Sequence, residues 1–391
     1  MPKRVNNIYV ENITFSKLLE AHNKCKKHKR FKKQVIEFEM NLENNLLKIG
    51  RELLNETYTF SEYFEFTIYE PKERKIKTLE YRDRVVQTWY VENFLKPNFE
   101  SSYINDTYAC IENRGTHKAV DKMQEYLRKA DKVYEEVWVL KCDIRKFFFN
   151  VDRKILYSLI KRKIKDKYFL NLTKKIIFYD DEEVGIPIGN YTSQIYANIY
   201  LNELDRYIKE ELKVKYVVRY MDDFVILLKS KKQAKEILEK IQIFLREKLK
   251  LELNAKTAYF KAKQGVNFCG FRIWKTHRLL REQSKKKMRR KLKNFEKLYR
   301  EDRIELDYIL ACINSWMGHA KHCNSYSLVS KMFNEFALRK WKIGIKNVKT
   351  KVIIVYAEFK IICKKTIAFW LSDYNDYVLF RTDTNVLLNW L

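Results

Sequence analysis

The sequence predicts an α+β fold: a split βαβ sheet with helices on one face, preceded and followed by helical regions. Three observations carry this. Between residues 137 and 273 the apolar segments run strand, helix, helix, strand-turn-strand, helix, strand. On either side, apolar residues recur with helical spacing. The 391 residues include only eight Gly and four Pro, so few breakers interrupt long regular elements.

The elements follow in order. Residues 1–56 read as mostly helical, because Leu42, Leu46, Leu47, Leu53 and Leu54 fall near a 3.6-residue period. Residues 63–78 read as a hairpin: Phe64, Phe66 and Ile68 alternate before Pro71-Lys72-Glu73-Arg74 turns the chain. Helices are expected over 82–96 and 117–130. Val137-Trp138-Val139-Leu140 is a strand running into Cys142-Asp143. A helix over 152–167, a turn at Gly185–Gly189 and a helix over 193–211 come next. Residues 216–228 are two apolar halves around Asp222-Asp223, followed by a helix over 232–249. Leu251–Leu253 reads as a strand end and Val266–Ile273 as one strand. A strongly basic helix is expected over 284–300 and more helix over 305–339; residues 349–391, rich in β-branched and aromatic residues, are expected to hold strands.

The formal net charge is +29, with a pI near 9.6. So large a charge repels itself in the folded state, and a polyanionic partner, DNA or RNA, neutralises it. The run Lys24–Lys33 adds a local basic patch. A membrane partner is not expected, since no stretch of 18 apolar residues occurs and the N-terminus lacks a signal-peptide pattern. Seven cysteines without repeating spacing fit reduced thiols in the cytoplasm. Cys25 with His28, and His319 with His322 and Cys323, fall short of a four-ligand zinc set. The wealth of Lys, Asn and Tyr points to an AT-rich bacterial or phage genome.

The chemistry is carried by carboxylates. Asp143 ends an apolar strand, and Asp222-Asp223 crests a hydrophobic hairpin. Adjacent like charges repel, and a divalent cation resolves the conflict. Asp143 and Asp222 then clamp two magnesium ions, with Asp223 in support: one ion acidifies a primer 3′-hydroxyl, the other holds a triphosphate and its leaving group. The rival reading makes Asp222-Asp223 a solvated turn.

Several segments in the right order decide between these readings. Tyr220-Met221-Asp222-Asp223 resembles the Tyr-x-Asp-Asp box of reverse transcriptases, and Leu140–Phe148 their first catalytic box. Gly185–Gln194 resembles the next box, and Leu251–Lys256 and Gly265–Gly270 the last two palm boxes. Pro71–Arg74 and Arg82-Asp83-Arg84 resemble finger elements. The similarity covers about residues 60–340. It implies a right-hand polymerase: an N-terminal helical region 1–60, fingers 61–136, palm 137–275, helical thumb 276–344 and a C-terminal extension 345–391 that resembles nothing known and is expected to be β-rich. No endonuclease, maturase or ribonuclease H section is recognised.

The resemblance is closest to the group II intron lineage, especially the enzymes of diversity-generating retroelements. Tyr108-Ala109-Cys110, Gly115–Ala119 and Ile188–Gln194 fit that branch. Ile188 and Gln194 replace the glutamine and proline usual elsewhere, a change that accompanies misincorporation at template adenines. The resemblance assigns Lys72, Arg74 and Arg82 to the triphosphate, and Phe148 to a gate against a 2′-hydroxyl. Phe147 and Phe149 flank that gate, and strand alternation leaves open which of the three faces the sugar. Gly189, Asn190 and Gln194 are assigned to the nascent base pair, and Lys256 to protonating pyrophosphate. Gly265, Phe268 and Gly270 are assigned to gripping the primer. Lys285, Lys286, Arg289 and Arg290 crowd the basic helix expected to track the template-primer duplex, whereas Trp316 and His319 read as structural.

The expected activity is RNA-directed DNA polymerisation with two Mg2+ ions, Mn2+ serving as a substitute, in error-prone cDNA synthesis. The expected partners are template RNA, cDNA product, dNTPs and a small basic accessory protein; oligomeric state is not legible. One alternative is an antiphage defence reverse transcriptase copying an associated non-coding RNA, primed by a protein tyrosine. Another is a non-enzymatic RNA-binding scaffold, against which the intact Asp143, Asp222 and Asp223 stand.

Overall fold

The structure, a computed structural model, describes residues 4–69, 73–336 and 338. They form a mixed α/β fold of helices and small antiparallel sheets, in two compact units. The first holds the described residues to 269 with 274–276; the second holds 270–273 and those from 277 onward. The expected extension 345–391 and the Lys72 phosphate contact lie outside the described residues.

The first unit opens with helices α1 (Phe15–Lys26), α2 (Lys33–Glu39) and α3 (Leu42–Leu54). Thr14 starts α1 by accepting from the Lys17 N–H, and α3 buries Leu46, Ile49 and Leu53 at helical spacing. The hairpin is β1 (Phe64–Ile68) and β2 (Arg74–Thr78), with Phe66 opposite Ile76. Helix α4 (Tyr81–Tyr90) passes through a π-turn, Val91–Leu95, into α5 (Lys96–Phe99), and α6 (Thr116–Val133) follows.

The central sheet then begins with β3 (Trp138–Asp143). Next come α7 (Phe147–Asn150), α8 (Arg153–Lys163), α9 (Lys167–Ile177) and α10 (Tyr191–Arg206). The hairpin β4 (Tyr216–Tyr220) and β5 (Asp223–Leu228), α11 (Lys231–Leu249) and β6 (Ala258–Lys261) complete it in the order β4-β5-β3-β6, every pairing antiparallel. Leu140 and Cys142 of β3 face a core shared with Leu156, Ile195, Tyr200, Ile226 and Ile241. That burial fixes the register: a one-residue slip would turn Asp143 inward and Cys142 outward. Strand β7 (Val266–Phe268) is the last strand of this unit. In the second unit β8 (Phe271–Ile273) pairs with β9 (Arg278–Leu280), and α12 (Glu282–Arg300), α13 (Leu306–Ala320) and α14 (Tyr326–Asn334) follow.

Several expectations need correction. The helix over 152–167 ends at Lys163, and α9 is a new helix. Asp166 makes the break: it caps α9 through the Phe169 N–H at 3.0 Å and also accepts from the Ile8 and Tyr9 N–H groups at 2.9 and 3.0 Å. Leu251–Leu253 is no strand, only a bridge from Leu253 to Ile144, and the strand paired to β3 is β6. The single strand over 266–273 is interrupted at Cys269 and Gly270, whose φ values are +46° and +88°. The run expected as helix over 305–339 divides at 321–325. Phe147–Asn150, for which no element is expected from the sequence, is a helical turn entered through Lys146 at φ +43°, so strand alternation does not apply to its three aromatics.

Candidate active site

Strand alternation puts Asp143 and Lys141 on the face of β3 opposite Leu140 and Cys142. The register sets Asp143 directly across from Asp223, so two carboxylates meet at the same end of the sheet. Asp222 joins them from the β4–β5 turn. Met221 enters that turn at φ +56°, a conformation costly for a residue with a side chain and held only by its surroundings. The support is Arg219, fully buried. It donates to the Met221 carbonyl at 2.9 Å and to both carboxylate oxygens of Asp205 at 2.7 and 2.6 Å. Across the turn, the Ile144 N–H reaches the Asp222 carbonyl at 3.4 Å.

The electrostatics follow from this gathering. The Asp222 carboxyl is pushed up from 3.8 to about 6, first by burial, then by the charges of Asp143 and Asp223; its own backbone N–H and the Arg74 guanidinium pull the other way. Arg74, exposed at the start of β2, therefore acts on the same site. Among the described residues no three His, Cys, Asp or Glu side chains form a ready-made cage for a metal. A cage is not what magnesium asks for. It keeps several waters and takes one or two carboxylates together with substrate phosphates. Two or three hard oxygen donors at an open sheet end, one with its charge opposed by the others, fit such an ion.

Two further residues hold the carboxylates. Asn254 donates its backbone N–H to the Asp143 carbonyl at 2.7 Å and its amide to Asp143 Oδ2 at 3.0 Å. Its Oδ1 accepts from the Lys256 N–H at 3.1 Å, which places Lys256, exposed, on the next turn of chain. Lys141 donates to Asp223 Oδ2 at 3.0 Å.

The other candidate residues are placed as follows. The turn before α10 docks on the edge of β2, where the Lys77 N–H meets the Ile188 carbonyl at 2.9 Å. Gly189 has φ +123°, and a Cβ there would lie 2.8 Å from Ile76 Cγ2 and 2.9 Å from the Lys77 carbonyl, so only glycine fits. Asn190 is buried and donates to the Tyr63 hydroxyl at 2.8 Å. Gln194 is exposed and accepts from the Cys110 thiol at 3.4 Å. Of the three aromatics Phe147 is buried, Phe149 is exposed, and Phe148 is half-buried, edge-on to Phe147 with ring centres 5.5 Å apart. Arg82 is engaged elsewhere, ion-paired with Glu52 and 4.5 Å over the Tyr58 ring.

In the β7 region Gly265 lies under the Trp274 indole, and Phe268 is fully buried. In the second unit Gly270 lies against the His319 imidazole, which is tilted on Phe271 at 4.4 Å, and Trp316 donates to Ser284 at 3.3 Å. Helix α12 buries Met288, Leu292, Phe295 and Tyr299 as one stripe. Lys285 pairs with Glu282 at 2.9 Å, while Lys286, Arg289 and Arg290 are exposed.

The family described as reverse transcriptase (RNA-dependent DNA polymerase) matches residues 70–273, just over half of the chain. The chain is similar to protein YkfC of Escherichia coli (strain K12), at 28% identity over 52% of this chain and 62% of that one. It is also similar to the group II intron-encoded protein LtrA of Lactococcus lactis subsp. cremoris, at 24% identity over 59% and 50%, which relates it to the group II intron proteins. The chain thus spans about half to three-fifths of these relatives' lengths. Among solved structures, apo telomerase from Candida tropicalis aligns at 13% identity and a TM-score of 0.45, over 81% of this chain and 68% of that one.

Proposed function

The chain belongs to the reverse transcriptase (RNA-dependent DNA polymerase) family, and from that premise we propose that it copies an RNA template into DNA, adding deoxynucleotides to a primer. Family membership brings a nucleic-acid polymerase activity in general; the rest of the reading leans on the site. The observation that carries it is the gathering of Asp143, Asp222 and Asp223 at one sheet end, with the Asp222 carboxyl held near 6 by burial and two like charges.

In this reading residues 61–136 act as fingers, 137–275 as palm and 276–344 as thumb. Asp143 and Asp222 would hold two magnesium ions, with Asp223 beside them; when bound, the ions supply activation of the primer hydroxyl and neutralisation of triphosphate charge. Asn254 keeps Asp143 in one rotamer. Arg74, with Lys72, binds and orients the triphosphate. Phe148 excludes a 2′-hydroxyl, and Lys256 Nζ delivers a proton to departing pyrophosphate. The cations of α12 hold the duplex backbone.

The test is primer extension on a defined RNA with dNTPs and magnesium. Wild type extends the primer; Asp143→Ala and Asp222→Ala bind RNA but make no product. Extension at the wild-type rate by either variant would overturn the assignment. Within that activity we place the chain in error-prone cDNA synthesis of a diversity-generating retroelement, on the strength of Ile188 and Gln194. Sequencing cDNA made from RNA that copurifies with the protein decides this. Substitutions clustered at template adenines support it, whereas faithful copies of one non-coding RNA would move the protein to the defence role.

A further inference from the structure

Lys141 stands two residues before Asp143, on the same face of β3. In the β3–β5 register it lies opposite Val225, one pair along from the Asp143–Asp223 pair on that face, so it reaches Asp223 diagonally. Its ammonium makes two bonds, to Asp223 Oδ2 at 3.0 Å and to the backbone carbonyl of Asn267 at 2.6 Å. The two acceptors belong to distant parts of the chain. Asp223 begins β5 beside the candidate catalytic centre, and Asn267 is the middle residue of β7, between the buried Val266 and Phe268. Lys141 and Asp223 are only 21% and 29% exposed, so water screens the pair less than it would a surface pair.

We propose that Lys141 is a positioning residue: it fixes the β7 segment against Asp223 and so sets where a primer terminus lies relative to the carboxylates. This rests on the polymerase reading above and on the resemblance's assignment of Gly265, Phe268 and Gly270 to gripping the primer. A lysine suits the task, because a compact ammonium carries three donors and can bond acceptors on two sides at once. The planar fork of arginine matches a single carboxylate better. The link also divides the labour among the carboxylates. Asp223 meets the Lys141 cation within the fold, which leaves Asp143 and Asp222 as the pair open to metal and ties Asp223 to the primer side.

The experiment compares Lys141→Met, Asp223→Asn and the double variant in the full chain, with Lys141→Arg as the conservative change. Methionine keeps the aliphatic stem on the strand and removes the ammonium, and thermal melting checks that each variant is folded. Two quantities are read. Amide hydrogen exchange of residues 266–269, measured without nucleic acid, should accelerate about tenfold in Lys141→Met and less in Lys141→Arg, as expected for losing a charge-assisted hydrogen bond. Single-nucleotide addition should fall about tenfold to a hundredfold in maximal rate, with KM for the dNTP within about twofold, because the terminus is misplaced rather than the nucleotide lost. The double variant should be no slower than the worse single one, the signature of residues acting as a unit. Unchanged exchange at 266–269, or losses that add in the double variant, would overturn the proposal. If wild type makes no product, the polymerase reading fails and the exchange measurement alone decides the role of Lys141.

Discussion

At the scale of single residues a buried carboxyl set among like charges lowers stability once it ionises, as at Asp222. Its carboxyl titrates near 6 instead of 3.8. A folded-state value above the unfolded one means that the group stabilises the fold while protonated and loses that contribution as pH rises through about 6. Above pH 6 the charge therefore costs up to about 3 kcal/mol in the absence of metal. Asp222→Asn should abolish synthesis yet raise the melting temperature of the metal-free protein at pH 7.5, and the gain should vanish near pH 4. Melting curves at both pH values, with and without magnesium, check this; a variant less stable than wild type at pH 7.5 would contradict it. A second residue prediction concerns Ile188, half-buried on the turn that docks on β2. Its stiff apolar side chain offers no hydrogen bond where the usual glutamine would. A loss of about 1.4 kcal/mol in discrimination raises errors tenfold, so Ile188→Gln should lower misincorporation at template adenines by about that factor in deep-sequenced products. The carboxylates are legible in the sequence because acids on an apolar hairpin are conspicuous. Lys141, Asn254 and the Arg219–Asp205 pair are not. A lysine in a strand or an asparagine in a loop looks ordinary until the register shows what it touches.

At the scale of elements, legibility follows periodicity. The hairpin β1–β2 alternates, helices α6 and α11 carry apolar stripes, and β3, β4, β5 and α10 are apolar runs set off by polar residues, so the sequence locates them to within a few residues. It misleads where a tertiary interaction overrides the local pattern. Asp166 ends one apolar run and starts another while clasping the N-terminal segment, and that clasp has no local signature. Phe147–Asn150 coils because Lys146 turns the chain left-handed, which no aromatic pattern announces. Helix α12 is basic by sequence, and the structure adds which cations are free to bind. Met288, Leu292, Phe295 and Tyr299 pin one side, so Lys286, Arg289, Arg290 and Lys293 remain exposed. Neutralising those four to glutamine should weaken binding to unrelated RNA sequences alike. It should also reduce the slope of log affinity against log salt by roughly 0.7 to 0.9 for each phosphate no longer neutralised. Fluorescence anisotropy across a salt series measures it; an unchanged slope would remove α12 from the duplex path.

At the scale of the whole molecule, charge is divided between two tasks that an experiment can separate. The chain carries 79 Lys and Arg against 50 Asp and Glu, an excess suited to holding a polyanion whatever its sequence. Chemistry, by contrast, is proposed to rest on three carboxylates that repel one another, and so on a divalent ion. Among the described residues no helix is long and apolar enough to cross a membrane. If affinity comes from the cations and synthesis from the carboxylates, chelation and salt should act on different observables. Removing divalent ions with EDTA should abolish primer extension while leaving RNA affinity within about threefold at constant ionic strength, since a few ions add little to an excess of 29 charges. Raising monovalent salt from about 50 to about 200 mM should do the reverse. Roughly six to ten phosphate contacts would cost about 10³–10⁵ in affinity, whereas the rate of nucleotide addition on RNA already bound and saturating should change far less. Parallel anisotropy and single-turnover extension on one labelled primer-template read both. Were EDTA to release the RNA as completely as it stops synthesis, binding would run through the metal site, and the net charge would need another explanation.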